Sequence, residues 1–528
     1  MSKNLIILLS GFFFLLVFAG WKKIFVVADE PLPHTIIGVE YAFPGQATAL
    51  AKTGIKGVKY FPDIYEWGDM QKKSGGPIDF FETDRYVKEF QEAGFTSLTM
   101  ALQSKSDWGS KNGKGLKPTN LSPKPEFADQ WKKFVGAVVE RYDMDGKDDM
   151  PGLKVPVVYY EIGTEFSSYV PESADEYINT LSLAYKAAHD AFANVKILHA
   201  AFLTTTAITS KSTPETYESD FSSASTKTGK RILHHSLADN RKILDHPEIF
   251  DVVNFHSCGD VYEIEGIAKW LRWEMNKRGY SKQLYISDTT PTPFIAWGNA
   301  VDCTLKPEQS GIIVPPFEEA DRCKITALMK KVLDGDSASI KWLYGFLATD
   351  LVKKCVVASD MHVIQINTAF SEDLTFLKMK ILKAGAGTSA WSGMLATKAD
   401  GKTNMRTVIG YRPMYYALQQ VQSVLENYQS IERVSDPDEH VRVYKIVKNG
   451  KENFIAWYEP DKIILPVDQL LPLKTVKVKT TGSSFMKGNI VQQMRNGNPM
   501  IVDVPVFQAK NGEIELQLNS IPLIVNAK

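Results

Sequence analysis

The sequence predicts an α/β chain: a (β/α)₈ barrel followed by a small all-β domain. Two patterns lead there. From about residue 34, short apolar, β-rich runs alternate with longer stretches of helical periodicity, the signature of parallel strands joined by helices. Beyond residue 428 the pattern becomes short alternating strands split by Gly, Pro and Asn, as in a small sandwich. A doubly wound open sheet is the rival architecture. It lacks support here, because no Gly-rich phosphate loop opens a helix after the first strand, and no Walker-type loop or Gly-x-Ser-x-Gly elbow occurs.

The predicted barrel strands are residues 35–41, 57–61, 95–102, 155–165, 196–203, 252–257, 283–288 and 388–391. Several are unbroken apolar runs, as expected for strands covered on both faces. Between them, Phe127, Trp131, Phe134, Val135, Val138, Val139 and Tyr142 recur at steps of three and four and mark one apolar helix face. Ser173 and Glu176 have the spacing of a capping box, and Tyr177, Leu181, Ala184, Ala188 and Phe192 continue that helix's stripe. A further helix over 84–93 stops at Gly94. Residues 300–380 exceed what one βα unit requires and hold three of the four cysteines, so they read as an insertion at the barrel rim. In the C-terminal part, alternation from Val441 to Val447, the turn Lys448-Asn449-Gly450-Lys451 and the return Phe454–Trp457 predict a hairpin. The expected domains are therefore 1–28 as a targeting segment, 29–428 as the barrel and 429–528 as the β domain.

Composition narrows the function classes. The chain has 528 residues, with Lys+Arg and Asp+Glu both at 61, which disfavours a broad cationic surface for nucleic acid. At 44% hydrophobic and 23% charged it is a globular composition. The N-terminus differs from the rest: Lys3 precedes an apolar run over 5–20, followed by Trp21-Lys22-Lys23. The run is short for a membrane span, and Val26-Val27-Ala28 offers small residues where a signal peptidase reads. A cleaved signal peptide and an uncleaved anchor both stay open, and only the anchor implies a membrane association. Either way the remainder is expected outside the cytoplasm, secreted or on the cell surface. Cys258, Cys303, Cys323 and Cys355 suit an oxidising compartment and allow three pairings, none with metal-binding Cys-x-x-Cys spacing.

Two segments carry chemistry. VPVVYYEIGTEF, Val155 to Phe166, is an apolar strand ending in Gly163-Thr164-Glu165. QLYISDTT, Gln283 to Thr290, ends in Asp288, with Leu284, Ile286 and Asp288 on one face by the period of two. The acids lie 123 residues apart, three βα units of 41, which fits strands four and seven. Each would then stand at a C-terminal strand end, where barrel enzymes keep their chemistry.

On these residues the chain resembles the retaining glycoside hydrolases of clan A, the barrel group that includes families 5, 39 and 42. In that group an Asn-Glu pair ends strand four and a second Glu ends strand seven. The resemblance covers roughly residues 34–420 and includes Trp67, Asp84, His256 and Trp391, while Pro413 to Leu418 resembles a barrel-closing helix. It implies Glu165 as acid/base and Asp288 as nucleophile or stabilising anion, acting on a β-linked carbohydrate without cofactor or metal. Thr164, Trp67, Trp108, His256, Tyr262 and Trp391 are the expected substrate-binding residues, since aromatic faces stack on pyranose rings. The chain departs from the family pattern twice: Thr164 replaces Asn, and Asp288 replaces Glu. The shorter acid draws its carboxylate back by about 1.5 Å, one carbon–carbon bond. Without backbone compensation that widens the pair toward an inverting spacing.

Two other readings stand beside this one. A barrel that has lost turnover would act as a carbohydrate-binding protein, and a surface scaffold would need neither acid. Lesser features are Asp143, Asp145, Asp148 and Asp149 around Gly146, read as a solvated acidic loop with Ca²⁺ binding as the alternative. His234-His235 reads as a polar pair, Cys258 as a disulfide or buried thiol, and Asn120-Leu121-Ser122 as a glycosylation sequon.

Overall fold

The barrel forms because eight strands with apolar outer faces close on themselves, in a computed structural model that describes residues 34–528 apart from 61, 116–117, 205–206, 228–233, 291–302, 305–318, 369, 375–388, 402, 435, 461–462, 469–470 and 502–505. The targeting segment expected over 1–28 lies outside the described residues. The strands are β1 (Ile36–Val39), β2 (Gly57–Lys59), β3 (Ser97–Leu102), β4 (Tyr159–Ile162), β5 (Lys196–His199), β6 (Val253–Ser257), β7 (Leu284–Thr289) and β8 (Val363–Thr368). All pairings among them are parallel, in the order β5-β4-β3-β2-β1-β8-β7-β6. The bridges Leu198↔Val252 and Phe202↔Phe255 join β5 to β6 and close the ring.

One helix from each βα unit packs on the outside: α1 (Ala47–Ala51), α2 (Phe81–Glu92), α3 (Ala128–Glu140), α4 (Ala174–Ala191), α5 (Leu237–Leu244), α6 (Glu263–Lys277), α7 (Ser337–Asp360) and α8 (Pro413–Leu425). The predicted stripes are the buried ones: Trp131, Phe134, Val135, Val138 and Val139 on α3, and Tyr177, Leu181, Ala184 and Ala188 on α4. The capping box forms, with Ser173 Oγ accepting from the Glu176 N–H and the Glu176 carboxylate accepting from the Ser173 N–H.

Two sequence expectations fail on the eighth strand. Residues 389–391 form a 3₁₀ turn, not a strand, and the strand between β1 and β7 is Val363–Thr368. The segment 300–380 is accordingly not only an insertion, because it supplies α7 and β8. The reason is visible in VIQINT: Gln365 and Asn367 face the barrel interior, so the run has polar residues where a two-face-covered strand normally has aliphatic ones. Cys303 and Cys323, in the same segment, form a disulfide, while Cys258 and Cys355 are buried free thiols.

The C-terminal strands are β9 (Ser430–Val434), β10 (Val441–Lys448), β11 (Lys451–Tyr458), β12 (Lys474–Lys479), β13 (Ser484–Asn489), β14 (Phe507–Gln508), β15 (Glu513–Leu518) and β16 (Leu523–Ala527). A six-stranded sheet, β9-β10-β11-β16-β13-β14, faces the pair β12-β15. The predicted hairpin is β10–β11, turning at Asn449 and Gly450, both at positive φ. The period of two divides its faces. Val441, Val443, Phe454, Ala456 and Val525 pack inside the sandwich, whereas Tyr444, Ile446, Ile455, Trp457 and Ile524 join the barrel's own core. Barrel and sandwich belong to one compact unit, residues 34–528. Among the described residues no helix is long and apolar enough to cross a membrane.

Candidate active site

The barrel interior is built in layers. At the N-terminal strand ends Tyr159, Leu198, Val252, Tyr285 and Ile364 form an apolar plug. Above it lies a polar layer: Ser97 Oγ donates to Gln365 Oε1 at 2.5 Å, the Gln365 amide donates to Asn367 Oδ1 at 2.9 Å, and Asn254 Nδ2 donates to Glu161 Oε1 at 3.0 Å. Glycine is required at Gly38, because a Cβ there would stand 2.2 Å from Asn367 Oδ1 and 2.7 Å from the Gly57 carbonyl carbon. The uppermost layer, at the C-terminal mouth, carries charge. Lys59 Nζ, from β2, lies 3.1 Å from Glu40 Oε1 and 2.8 Å from Glu161 Oε2, and all three side chains are at most 3% exposed. Burial alone would lower the Lys59 pKa, but Glu161 and Glu40 outweigh it and hold the ammonium charged.

Glu165 and Asp288 meet over this layer. One oxygen of each and one ring nitrogen of His256 all lie within 4.8 Å of one another. His256 Nδ1 is 3.2 Å from Glu165 Oε1, and its Nε2 is 2.8 Å from Ser287 Oγ. The local backbone explains the convergence. After β4 the chain turns through Gly163 at φ 80° and Glu165 itself at φ 42°, ψ 57°, a left-handed conformation that costs a non-glycine residue about 1–3 kcal/mol. On β7 the pairing registers slip between Phe255 and His256 on one side and between Ile366 and Thr368 on the other. This bulge corrects the one-face reading of Leu284, Ile286 and Asp288. Leu284 and Ile286 pack outward in the core beneath the helices, while Ser287 and Asp288, consecutive residues, both reach the mouth. The pair expected to widen because of the shorter Asp is thus brought close by the backbone.

Three carboxyl-layer residues escaped the sequence reading: Glu40, Lys59 and Glu161. A signal for them existed, namely a single charged residue inside an otherwise apolar strand, as in Gly57-Val58-Lys59 and Tyr159-Tyr160-Glu161-Ile162. Burial first, then the charge of Asp288, push the Glu40 carboxyl well above the usual carboxylate range.

The other expected binding residues stand in varied surroundings. Trp67 is fully buried, packed against Trp108, Trp131 and Phe134. Trp108 is half-buried, donating its Nε1–H to the Gln71 carbonyl. Trp67 serves packing, because an indole so enclosed has no face left for a sugar. Trp391 is 8% exposed in the turn after β8. Tyr262 sits at the junction with the β domain, where its hydroxyl donates to Glu459 and accepts from Trp457 Nε1–H, and it lines a cavity of about 1240 Å³ there. Thr164 lines a different cavity of about 410 Å³ beside the mouth, with Glu66, Gln103, Lys105 and Glu172.

Remaining candidates resolve in the same way. The Cys258 thiol is pushed well up by burial and by Asp288 and Glu165, the opposite of an activated nucleophile. His235 is buried, stacked on Phe166, with Nε2 2.9 Å from the Val170 carbonyl oxygen. Glu165, His256 and Asp288 are close enough to share a divalent cation, as are Asp143, Asp145 and Asp149. In the latter loop, however, Asp149 accepts from the Met144 and Gly146 N–H groups and Asp143 from that of Asp145.

No protein-family model matches the sequence, and no curated protein matches it. Solved structures do match in fold. A family 39 glycoside hydrolase from the gut symbiont Bacteroides cellulosilyticus superposes with a TM-score of 0.54 at 12% identity, over 94% of this chain and 82% of that one. A glucosidase from Croceicoccus marinus gives 0.52 at 11% identity, over 94% and 96%. A monomeric β-xylosidase from Caulobacter crescentus gives 0.50 at 12%, over 93% and 95%. At these identities the likeness establishes the shared barrel-plus-β architecture.

Proposed function

We propose that this chain is a glycoside hydrolase that cleaves a β-linked poly- or oligosaccharide, with Glu165 as acid/base and Asp288 as nucleophile. The observation that carries the reading is the convergence of Glu165 and Asp288, from the ends of β4 and β7, to within 4.8 Å across the barrel mouth. Carboxyl groups of retaining pairs stand about 5–5.5 Å apart and those of inverting pairs about 6.5–9.5 Å, and the close approach of one oxygen from each acid supports the retaining reading. In that chemistry Glu165 protonates the leaving oxygen while Asp288 attacks the anomeric carbon, and Glu165 then activates the water that releases the sugar. No cofactor enters. The neighbours of like fold, a glucosidase and a β-xylosidase by name, are consistent with a carbohydrate substrate. In this proposal the enzyme works outside the cytoplasm, a reading supported by the apolar run over residues 5–20 of the sequence.

The test is product detection across a panel of β-linked glycans. Glu165→Gln is expected to lower turnover about 10²–10⁴-fold, the usual worth of a positioned acid/base. Unchanged turnover would remove Glu165 from the mechanism. A carbohydrate-binding barrel without turnover is the second reading, favoured by the near-complete burial of Asp288, 5% exposed. Glycan affinity by calorimetry with no product over long incubation would support it instead.

A further inference from the structure

Lys354 stands on α7, in the helical shell, and is 1% exposed. Its neighbours on that helix face, Leu351, Val357 and Ala358, are apolar and buried. A buried ammonium is tolerated only where hydrogen-bond acceptors surround it, and Lys354 finds them at the ends of two barrel strands. Its Nζ lies 2.6 Å from the Thr290 carbonyl oxygen, 3.1 Å from those of Ser257 and Gly259, and 3.4 Å from Thr289 Oγ1. All four acceptors belong to the residues that follow His256 at the end of β6 or Asp288 at the end of β7. We propose that Lys354 is a positioning residue: it ties the end of β6 to the end of β7 from outside the barrel, and so fixes the slipped register that presents Asp288 to the mouth.

The need for a tie follows from the register. β7 slips against β6 between Phe255 and His256, and against β8 between Ile366 and Thr368, so the ladder is interrupted just where Asp288 must be held. At the last paired residues of β6 and β7, Ser257 and Thr289, the Thr289 hydroxyl and the Thr290 N–H both donate to the Ser257 carbonyl, and Lys354 adds a third donor. The Gly259 and Thr290 carbonyls lie past the ladder, and Lys354 donates to both. Glu263, the first residue of α6, grips β6 from another side: its Oε1 accepts from the Ser257 hydroxyl at 2.9 Å and from the Gly259 N–H at 2.6 Å. Asp350, one turn back on α7, has its Oδ2 4.0 Å from Lys354 Nζ. An ammonium suits this place because its three N–H groups fan out from one atom and reach acceptors on two strands at once. An Asp288 carried on an untied end would shift relative to Glu165, and a misplacement of about 1 Å at a reacting centre removes most of the rate. The catalytic consequence rests on the glycosidase reading; the tie between the strand ends does not.

Two arms of one experiment separate them. Lys354→Met keeps the apolar stem and removes the N–H groups. Lys282→Met is its control, since Lys282 donates to the Phe250 carbonyl at 2.7 Å, at the opposite ends of the same two strands. In the first arm, amide hydrogen exchange of the full chain is followed by mass spectrometry. Lys354→Met should speed exchange at least about tenfold from Ser257 to Gly259 and at Thr289 and Thr290, leaving α3 and β10 at the parent rate. Lys282→Met should leave those strand ends unchanged. Parent-like exchange at the strand ends of Lys354→Met, or a rise shared equally by the whole chain, would overturn the proposal. Should Lys354→Met not fold, Lys354→Gln decides: its amide keeps two N–H groups but ends one bond short, so the same local rise should appear, and its absence would overturn the proposal. In the second arm, with a glycan that the parent turns over and well below every Tm, Lys354→Met should lose about a hundredfold in kcat with KM within about twofold, while Lys282→Met keeps the parent kcat. An equal kcat loss in both variants, or none in Lys354→Met, would exclude a positioning role. Absence of turnover in every protein would strike the glycosidase reading alone, leaving the exchange rates to judge the tie between the strand ends.

Discussion

The two ends of the barrel interior are built from opposite materials. At the base, Tyr159, Leu198, Val252, Tyr285 and Ile364 fill the space with apolar volume, as the inner layers of most such barrels do. At the mouth, two to four residues further along β4, β6 and β7, Glu161, His256 and Asp288 join Glu40 and Lys59, from the ends of β1 and β2, and fill an equally enclosed space with charge. A buried ion cluster is weak as a source of stability, since desolvation offsets most of the Coulomb gain. Apolar side chains of similar volume would serve the fold as well or better. The mouth therefore represents stability given up, and the base and the helical shell supply what the mouth does not. Backbone strain lies at the same end, with Tyr41 at φ 52° beside Glu40 and Glu165 at φ 42°.

Substitutions can break or sharpen this contrast. Lys59→Met should have the largest effect, about 3–5 kcal/mol of lost stability in denaturant titrations, because Glu40 and Glu161 would remain buried without a cation. A loss under about 1 kcal/mol would mean that the mouth is wetter or less charged than its geometry implies. Next comes a pH effect. His199 is fully buried and its pKa is lowered to about 4, chiefly by burial; one ring nitrogen lies 2.8 Å from the Ala200 carbonyl oxygen and the other accepts from the Asn254 N–H. The unfolded imidazole takes its proton near the ordinary value of 6.5, so His199 should withdraw up to about 3 kcal/mol of stability as pH falls from there toward 4. His199→Gln should flatten that acid limb in Tm measurements, and an unchanged limb would assign it elsewhere. The smallest change belongs at the base. Ile364→Val should cost about 0.5–1.5 kcal/mol, as a deleted methylene does in any close-packed layer, without altering any pH profile.

Much of this architecture was legible from residues alone, for specific reasons. The buried faces of α3 and α4 follow a period of 3.6, and β10–β11 follow a period of two around Asn449-Gly450, so hydrophobic patterning located them. The meeting of Glu165 and Asp288 at one end of the barrel was legible because each ends an apolar run at barrel spacing. β8 was not, because Gln365 and Asn367 break its apolar run where the barrel interior is polar. The burial of Trp67 was not legible for a related reason: its indole N–H is satisfied within the protein, at Gln71 Oε1, and a sequence does not reveal which partner a polar edge will find. The bulge on β7 is equally silent, since register slips arise from pairing with both neighbouring strands rather than from the strand's own residues.

The central claim is that Asp288 forms the covalent half of the carboxyl pair. A 2-deoxy-2-fluoro glycoside of an accepted sugar, carrying a good leaving group, tests it by peptide mass spectrometry. The account predicts a glycosyl adduct on the peptide containing Asp288, in step with loss of activity and with retained anomeric configuration in the parent reaction. An adduct on Glu40 or Glu165, or product of inverted configuration with no adduct at all, would contradict it.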